Sequence, residues 1–230
     1  MFSDFDFGVI ARSLPYLLKE GLTFTLLLTA LATIGGVILG TLIAMARLSS
    51  YRVLRIIGAG YVNFLRSLPL VLVIFWFYFL VPYILQWVMR TSSPVPVGAF
   101  DSALITFTIF EAAYFSEIMR AGIQSIPRGQ PAAAFALGMN YWQSMRYVIL
   151  PQAFRNMLPV ILTQTIILFQ DTSLVYVVSL PDFLGAASKV AQRDGRLVEM
   201  YIFAALVYFI ISFAASWLVK RLQARIAIIR

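Results

Sequence analysis

The chain has 230 residues, of which 61% are hydrophobic and only 12% charged, and its mean hydropathy is +0.86. These proportions exclude a soluble globular domain, in which about half of the residues are apolar and about a quarter charged, and they indicate a multi-spanning membrane protein. In a membrane protein, a net charge of +8 gives information about membrane topology and does not indicate nucleic-acid binding. The chain has no cysteine and no histidine, which excludes thiol nucleophiles, disulfides and the commonest zinc ligands.

Long apolar runs predict five membrane-spanning helices. A helix rises about 1.5 Å per residue, so about 20 apolar residues cross the hydrocarbon core of a bilayer. The first block is preceded by Asp4 and Asp6 in place of a basic signal-peptide start, so we expect it to be a span and not a cleaved signal. The predicted spans are residues 21–46, 57–82, 100–121, 156–179 and 200–219.

Two of these spans carry residues that constrain their shape. Gly35, Gly36 and Gly40 in the first span are small enough to predict close packing against a neighbouring helix. Pro69 lies inside the second span, where the missing backbone N–H and the clash with the preceding turn predict a kink.

Polar residues inside the third and fourth spans are candidates for a pore or a gate. Carboxylates are costly inside a bilayer and normally face a bundle interior or a cavity. Two interpretations remain open for Glu117, because Arg120 three residues later also makes it a candidate for a structural ion pair. The polar group at 170–173 either lines a route or bonds to neighbouring helices. The candidates are Arg66, Glu111, Glu117, Arg120, Gln170, Asp171, Thr172 and Ser173.

The segment 127–151 connects the third and fourth spans and is predicted to form two short helices joined by a sharp turn. Pro131 suits a first helical position, and Gly138 suits the positive φ that ends a helix. Asn140 is expected to cap the second helix, with Gln143 reaching back to it. Three apolar side chains then share one helix face at helical spacing: Tyr141, Met145 and Val148.

Basic residues predict which side of the membrane this segment faces, since cytoplasmic loops are enriched in lysine and arginine. With the N-terminus outside, six of the 18 basic residues lie outside: Arg12, Lys19, Arg90, Lys189, Arg193 and Arg196. The other twelve are cytoplasmic: Arg47, Arg52, Arg55, Arg66, Arg120, Arg128, Arg146, Arg155, Lys220, Arg221, Arg225 and Arg230. The N-terminus is thus predicted to be periplasmic, and segment 127–151 and the C-terminus cytoplasmic.

Segment 127–151 resembles the EAA loop of permease subunits in bacterial ATP-binding-cassette (ABC) importers. That motif reads Glu-Ala-Ala, three residues, Gly, nine residues, Ile, one residue and Leu-Pro. Ala132 stands where the family usually has Glu, and Val148 stands for Ile. The literal Glu111-Ala112-Ala113 does not continue as the motif, because its glycine would fall at Glu117. The matching positions are Ala132, Ala133, Ala134, Gly138, Val148, Leu150 and Pro151.

The resemblance extends over nearly the whole chain. Arg66-Ser67-Leu68-Pro69 is similar to the Arg-Gly-Thr-Pro run of polar amino-acid permeases, with two departures. Asp171-Thr172-Ser173-Leu174 matches the fourth span of that subfamily. The run from Gln130 onward looks most like the smaller permease of glutamate/aspartate importers.

This resemblance implies the all-α transmembrane domain of a type I ABC importer in the bacterial inner membrane. Such a permease forms half of a pore with a second permease, expected to be a homologous paralogue, and receives its substrate from a periplasmic amino-acid-binding protein. Two separate ATPase subunits are implied to bind ATP and Mg²⁺. This chain has no G-x-x-x-x-G-K-[ST] stretch, so we expect it to bind no cofactor. We also expect it to contain no catalytic residue and no metal ligand. The implied coupling residues are Ala132, Ala133, Ala134, Gly138, Tyr141, Met145, Val148, Leu150 and Pro151.

The same residues can be compared with what other functions would require. A membrane-embedded enzyme using Glu111, Glu117 or Asp171 would need a partner base or metal that the composition does not supply. A channel or secondary transporter would use these carboxylates as ion sites, but five spans without an evident internal repeat argue against it unless the chain oligomerises. Within the family, glutamine, histidine and basic amino acids are the alternative cargoes.

Overall fold

A computed structural model describes residues 5–226 and is all-helical over that range, as composition predicts. Five of its helices are long and apolar enough to cross a membrane: α1, α3, α4, α6 and α8. The eight helices within the described residues are α1 (Phe7–Leu48), α2 (Arg52–Arg66), α3 (Leu70–Met89), α4 (Ala99–Gln124), α5 (Gly129–Ala136), α6 (Tyr141–Val178), α7 (Phe183–Asp194) and α8 (Leu197–Ile226).

Helix α1 is longer than the predicted span 21–46. It begins at Phe7, where the side chain of Asp6 accepts a hydrogen bond from the N–H of Gly8 at 2.7 Å. A wider π turn at Leu17–Leu22 joins this first part to the membrane span. Val9 and Leu17 are fully buried against α7 and α8, so packing and not apolar composition extends the helix.

The predicted second span, residues 57–82 with a kink at Pro69, is wrong. The chain breaks there instead: α2 ends at Arg66, and Pro69 is extended, with ψ of 130°, as the residue that precedes α3. Proline has no N–H for a helical hydrogen bond. Because the break follows the three basic residues of α2, the membrane helix contains no charged residue. That helix runs over Leu70–Met89 and ends at Arg90 in the left-handed conformation.

The second helix of segment 127–151 is also not a separate short helix. It continues without interruption into the fourth span, which starts at Tyr141 and not near residue 156. A π turn at Met145–Ile149 precedes Pro151. Such a wider turn accommodates the proline ring, whose N–H is missing from the helical ladder. The connecting segment and the fourth span therefore share one continuous helix.

Helix α4 lies at the centre of the molecule and packs closely on α1. Phe115 is fully buried and covers Gly36 and Gly40. A Cβ atom on Gly40 would lie 2.9 Å from the carbonyl oxygen of Ala112, which is closer than non-bonded atoms tolerate. The close packing expected of these glycines is confirmed.

Candidate functional site

The turn that ends α5 has the backbone conformation predicted from its glycine. Gly138 has a φ of +80°, and the N–H groups of Met139 and Gly138 bond to the carbonyls of Ala134 and Phe135 at 3.1 and 2.9 Å. This pair of hydrogen bonds is a Schellman motif, in which a glycine satisfies the last carbonyls of a helix. The chain direction after α5 is therefore fixed by one residue.

The start of α6 is fixed by a reciprocal pair of hydrogen bonds. The side-chain oxygen of Asn140 accepts from the N–H of Gln143 at 2.9 Å, and the side chain of Gln143 accepts from the N–H of Asn140 at 2.9 Å. The predicted capping box is thus confirmed. Pro131, expected at the first helical position, lies two residues later, since α5 begins at Gly129.

The helix-turn-helix is also attached to the rest of the molecule. Ala134 and Ile149 are buried, and Ile149 belongs to the apolar cluster around Phe115, against which Met145 also packs. Gln152 donates to Gln130 at 3.3 Å. The remaining motif positions differ in exposure: Ala132, Ala133, Tyr141, Leu150 and Pro151 are exposed, and Val148 is half-buried.

Exposed apolar side chains surround the turn, and most of them were missed by sequence reasoning. Leu137 is 79% exposed and Trp142 76% exposed, although large apolar side chains outside a bilayer normally avoid water. A detectable signal existed, since Leu137 directly precedes Gly138 and Trp142 follows it by only four residues. We call this surface the loop patch; its members are Phe135, Leu137, Tyr141, Trp142 and Tyr147.

Three guanidinium groups converge on one carboxylate near the end of α4. The carboxylate of Glu117 accepts from Arg47 at 2.6 Å and from Arg120 at 2.9 Å, and a nitrogen of Arg66 lies 3.5 Å away. Arg120 also bonds to Gln124 at 2.6 Å. The predicted pair of Glu117 with Arg120 is present, but it belongs to a larger cluster that joins α1, α2 and α4.

A cavity of about 430 Å³ lies beside this cluster, between α4 and α6. Of the predicted pore residues, only Arg66 and Glu117 line it. The other polar lining groups, which sequence reasoning missed, are Tyr114, Ser125, Asn156 and Gln164. The apolar part of the wall is formed by Ile118, Ala121, Gly122, Met157 and Val160.

The remaining predicted pore residues do not meet at this cavity. Glu111 is 1% exposed; one oxygen accepts from Gln164 at 3.0 Å, and the other has no hydrogen-bond partner among the described residues. Thr172 is buried and donates to the carbonyl of Phe169 at 2.7 Å, which satisfies its hydroxyl within its own helix. Within the polar group at 170–173, Asp171 and Ser173 are half-buried and Gln170 is exposed.

A buried carboxyl group lies in the connection between α6 and α8. Asp182 caps α7, accepting from the N–H groups of Leu184 and Gly185 at 2.9 and 3.0 Å, and the hydroxyl of Tyr208 lies 3.4 Å away. Burial raises the pKa of Asp182 to about 7, although these hydrogen bonds act in the opposite direction. Within residues 5–226, no three Asp, Glu, His or Cys side chains gather as metal ligands would.

Comparisons with known proteins agree with this architecture. The sequence matches the family described as the inner membrane component of binding-protein-dependent transport systems over residues 36–228. It is 54% identical to the glutamate/aspartate import permease protein GltK of Escherichia coli O6:H1, over 97% of this chain and 99% of that protein. It is 34% identical to the probable amino-acid ABC transporter permease protein YckA of Bacillus subtilis, over 92% and 89% of the two chains.

The fold agrees with that of a solved relative. A crystal structure of an amino acid ABC transporter with histidines contains a chain that is 32% identical, with a TM-score of 0.84 over 96% of this chain and 98% of that one. The family match covers most of the sequence, including the cavity and the helix-turn-helix. The chain therefore belongs to the family of inner membrane permease components of binding-protein-dependent ABC transport systems.

Proposed function

We propose that this chain is a permease subunit of an ATP-driven importer for glutamate and aspartate. The observation that carries the proposal is the 54% identity, over 97% of the chain, to a glutamate/aspartate import permease. The permease contributes one wall of the pore, to which the cavity between α4 and α6 belongs. A second permease, a homologous paralogue, contributes the other wall, and a periplasmic binding protein delivers the amino acid.

We further propose that the helix-turn-helix couples this pore to ATP hydrolysis on a separate ATPase. The loop patch presents large apolar side chains to the solvent, as protein interfaces do at their centres. The patch is joined to the fourth span through the continuous helix α6. Two ATPase subunits bind ATP and Mg²⁺, and closure of their docking cleft moves α6 as far as the difference in affinity for the two pore states allows.

Reconstituted uptake tests the proposed substrate. Vesicles would contain this permease with its partner permease and ATPase, the binding protein outside and ATP inside. We expect ATP-dependent uptake of radiolabelled glutamate that unlabelled aspartate suppresses and that glutamine, histidine and arginine leave largely unchanged. Uptake that glutamine or histidine suppresses more strongly than aspartate would contradict the substrate assignment. A vesicle without ATP is the control.

Cysteine labelling tests the proposed orientation, with the loop patch in the cytoplasm and the N-terminus in the periplasm. The chain contains no cysteine, so single cysteines are unambiguous. Ser144 and Ser188 are buried and unsuitable, whereas Ser50, Gln143 and Gln192 are exposed. A membrane-impermeant reagent should reach Gln192→Cys in intact cells, and Ser50→Cys and Gln143→Cys only after lysis. Labelling of Gln143→Cys in intact cells would reverse the orientation.

A further inference from the structure

The helix-turn-helix carries positive charge that its own segment does not balance. Between Glu117 and Asp171 the sequence contains four arginines and no acidic residue. Arg120 is one of the four and is bonded to Glu117 at 2.9 Å. The other three are exposed, and none of them makes an ion pair within residues 5–226: Arg128, Arg146 and Arg155.

The nearest carboxylate that precedes the segment, that of Glu117, is already occupied. One of its oxygens accepts from Arg47 at 2.6 Å and from Arg120 at 2.9 Å. The other oxygen accepts from Arg120 at 3.2 Å, and a nitrogen of Arg66 lies 3.5 Å from it. Helix α4 therefore supplies no counter-charge to the helix-turn-helix.

Two of the three exposed arginines adjoin the loop patch. Arg146 follows Trp142 by four residues, about one helical turn, which places both on the same side of α6. The guanidinium carbon of Arg146 lies 5.6 Å from the centre of the Tyr147 ring. Arg128 directly precedes α5, whose first turn contains no acidic residue, so the positive end of the helix dipole adds to the charge there.

The charge and the shape of this surface both favour a protein cleft that contains acidic groups. Protein interfaces have an apolar and aromatic centre with a polar rim, and arginine is enriched in them. Opposite charges across an interface steer association and fix its register, whereas like charges that face each other are costly. The loop patch takes its members from both helices around the turn, unlike the single apolar face with which a helix lies on a bilayer.

We propose that the cleft of the ATPase that receives the loop patch is acidic, with aspartate or glutamate side chains facing Arg128 and Arg146. The apolar side chains of the loop patch fill the cleft, and the two arginines fix the register of the helix-turn-helix in it. This inference rests on the proposed function, because it gives the chemistry of the partner surface at the same docking site.

The salt dependence of ATPase binding tests the proposed charge pairs. The affinity of the purified ATPase for the complex of both permeases would be measured in neutral detergent at about 0.1 M and about 1 M salt, where charges are screened over about 10 and about 3 Å. We expect the double variant Arg128→Gln/Arg146→Gln to bind about tenfold more weakly than the wild type at the lower salt concentration and to lose most of the salt dependence. Arg52→Gln/Arg55→Gln is the matched control, since it removes two exposed arginines from α2.

Carbodiimide crosslinking identifies the groups that face the arginines. The reagent joins a lysine amine to a carboxylate in direct contact with it, with loss of water. Arg146→Lys keeps the charge and adds this amine, so we expect mass spectrometry to find Arg146→Lys linked to an aspartate or glutamate of the ATPase. Arg55→Lys is the control and should give no such link.

The outcomes separate this inference from the proposed function. Equal affinities of the two double variants overturn the inference, as does a wild-type affinity that salt leaves unchanged. An Arg146→Lys complex that binds normally without any crosslink also overturns it. Weaker binding of Arg128→Gln/Arg146→Gln that is seen only in bilayers with anionic lipid, and not in neutral detergent, would assign the arginines to the membrane and overturn it too. The proposed function fails separately, if the wild-type permease complex binds the ATPase at neither salt concentration.

Discussion

Helix α4 buries its large side chains, whereas the loop patch exposes them to solvent. In α4, the aromatic rings of Phe107 and Phe115 are fully buried, and Glu117 is paired within the chain. In the loop patch, Leu137 and Trp142 are exposed, because nothing among residues 5–226 covers them. The difference is that the large side chains of α4 are packed within this chain, whereas those of the loop patch are left uncovered, as the proposed docking surface requires.

The largest expected effect comes from separating α4 from α1. Gly40→Leu places a side chain where the backbone of α4 already lies, 2.9 Å from both the Ala112 oxygen and the Ser116 nitrogen. Overpacking against backbone costs about 3 kcal/mol. We expect Gly40→Leu to lose most of the monodisperse protein in fluorescence-detected size-exclusion chromatography. Gly60→Leu is the control, because a Cβ on Gly60 meets nothing within 4 Å; equal yields of the two variants would contradict the packing.

A smaller effect is expected at the turn, and it should alter coupling more than folding. Gly138→Val forces a β-branched residue into a φ of +80°, which costs about 1 to 3 kcal/mol and misplaces the loop patch. ATPase activity should then lose its dependence on the loaded binding protein, while protein yield stays near wild type. Gly129→Val is matched to it, since Gly129 is in the same helix-turn-helix, in open space and without positive φ. Normal coupling in Gly138→Val would show that the turn geometry is dispensable.

The smallest effect concerns the buried carboxyl at the other end of the molecule. The pKa of Asp182 is raised from 3.8 to about 7 in the folded chain, because burial disfavours its charged form. Its contribution to stability is therefore fully present below about pH 4 and is lost as the pH rises towards 7. We expect the melting temperature of the wild type to fall more between pH 5 and 8 than that of Asp182→Asn, which keeps a capping side chain.

The control for this titration is Asp101→Asn, which removes an exposed carboxylate. Its melting curve should keep the wild-type pH dependence. A flat wild-type profile over this range, or identical profiles for the wild type and Asp182→Asn, would contradict a titration of Asp182 between pH 5 and 8.

Local chemistry explains which parts of the fold were predictable from sequence. The positive φ of Gly138 and the reciprocal cap between Asn140 and Gln143 depend on residues within a few positions of each other, and both predictions are confirmed. The close approach at Gly40 followed from the size of glycine alone. These features need no knowledge of distant contacts.

Distant contacts explain what sequence reasoning missed. Arg47 bonds to a carboxylate 70 residues away, and no spacing in the chain indicates that pair. Residues 181–199 are rich in polar residues, yet the three alanines and the one valine of α7 are buried between α1 and α8, because helical periodicity gathers them on one side. At Pro69, the sequence pattern did not distinguish a kink from a break. The chain forms two separate helices there: α2, which carries the arginines, and α3, which carries the apolar residues.

The central claim is that the loop patch is the surface that binds the ATPase, and Trp142 is its most exposed aromatic residue. Truncating a tryptophan at the centre of an interface typically costs 2 kcal/mol or more, or about 30-fold in affinity. Trp87→Ala is a matched control, because Trp87 is 82% exposed on the membrane helix α3.

The decisive measurement is the affinity of the purified ATPase for the detergent-solubilised permease complex, compared between Trp142→Ala and Trp87→Ala. The account predicts a loss of about 30-fold or more for Trp142→Ala and an affinity near that of the wild type for Trp87→Ala. An unchanged affinity for Trp142→Ala would contradict the assignment of the loop patch as the docking surface.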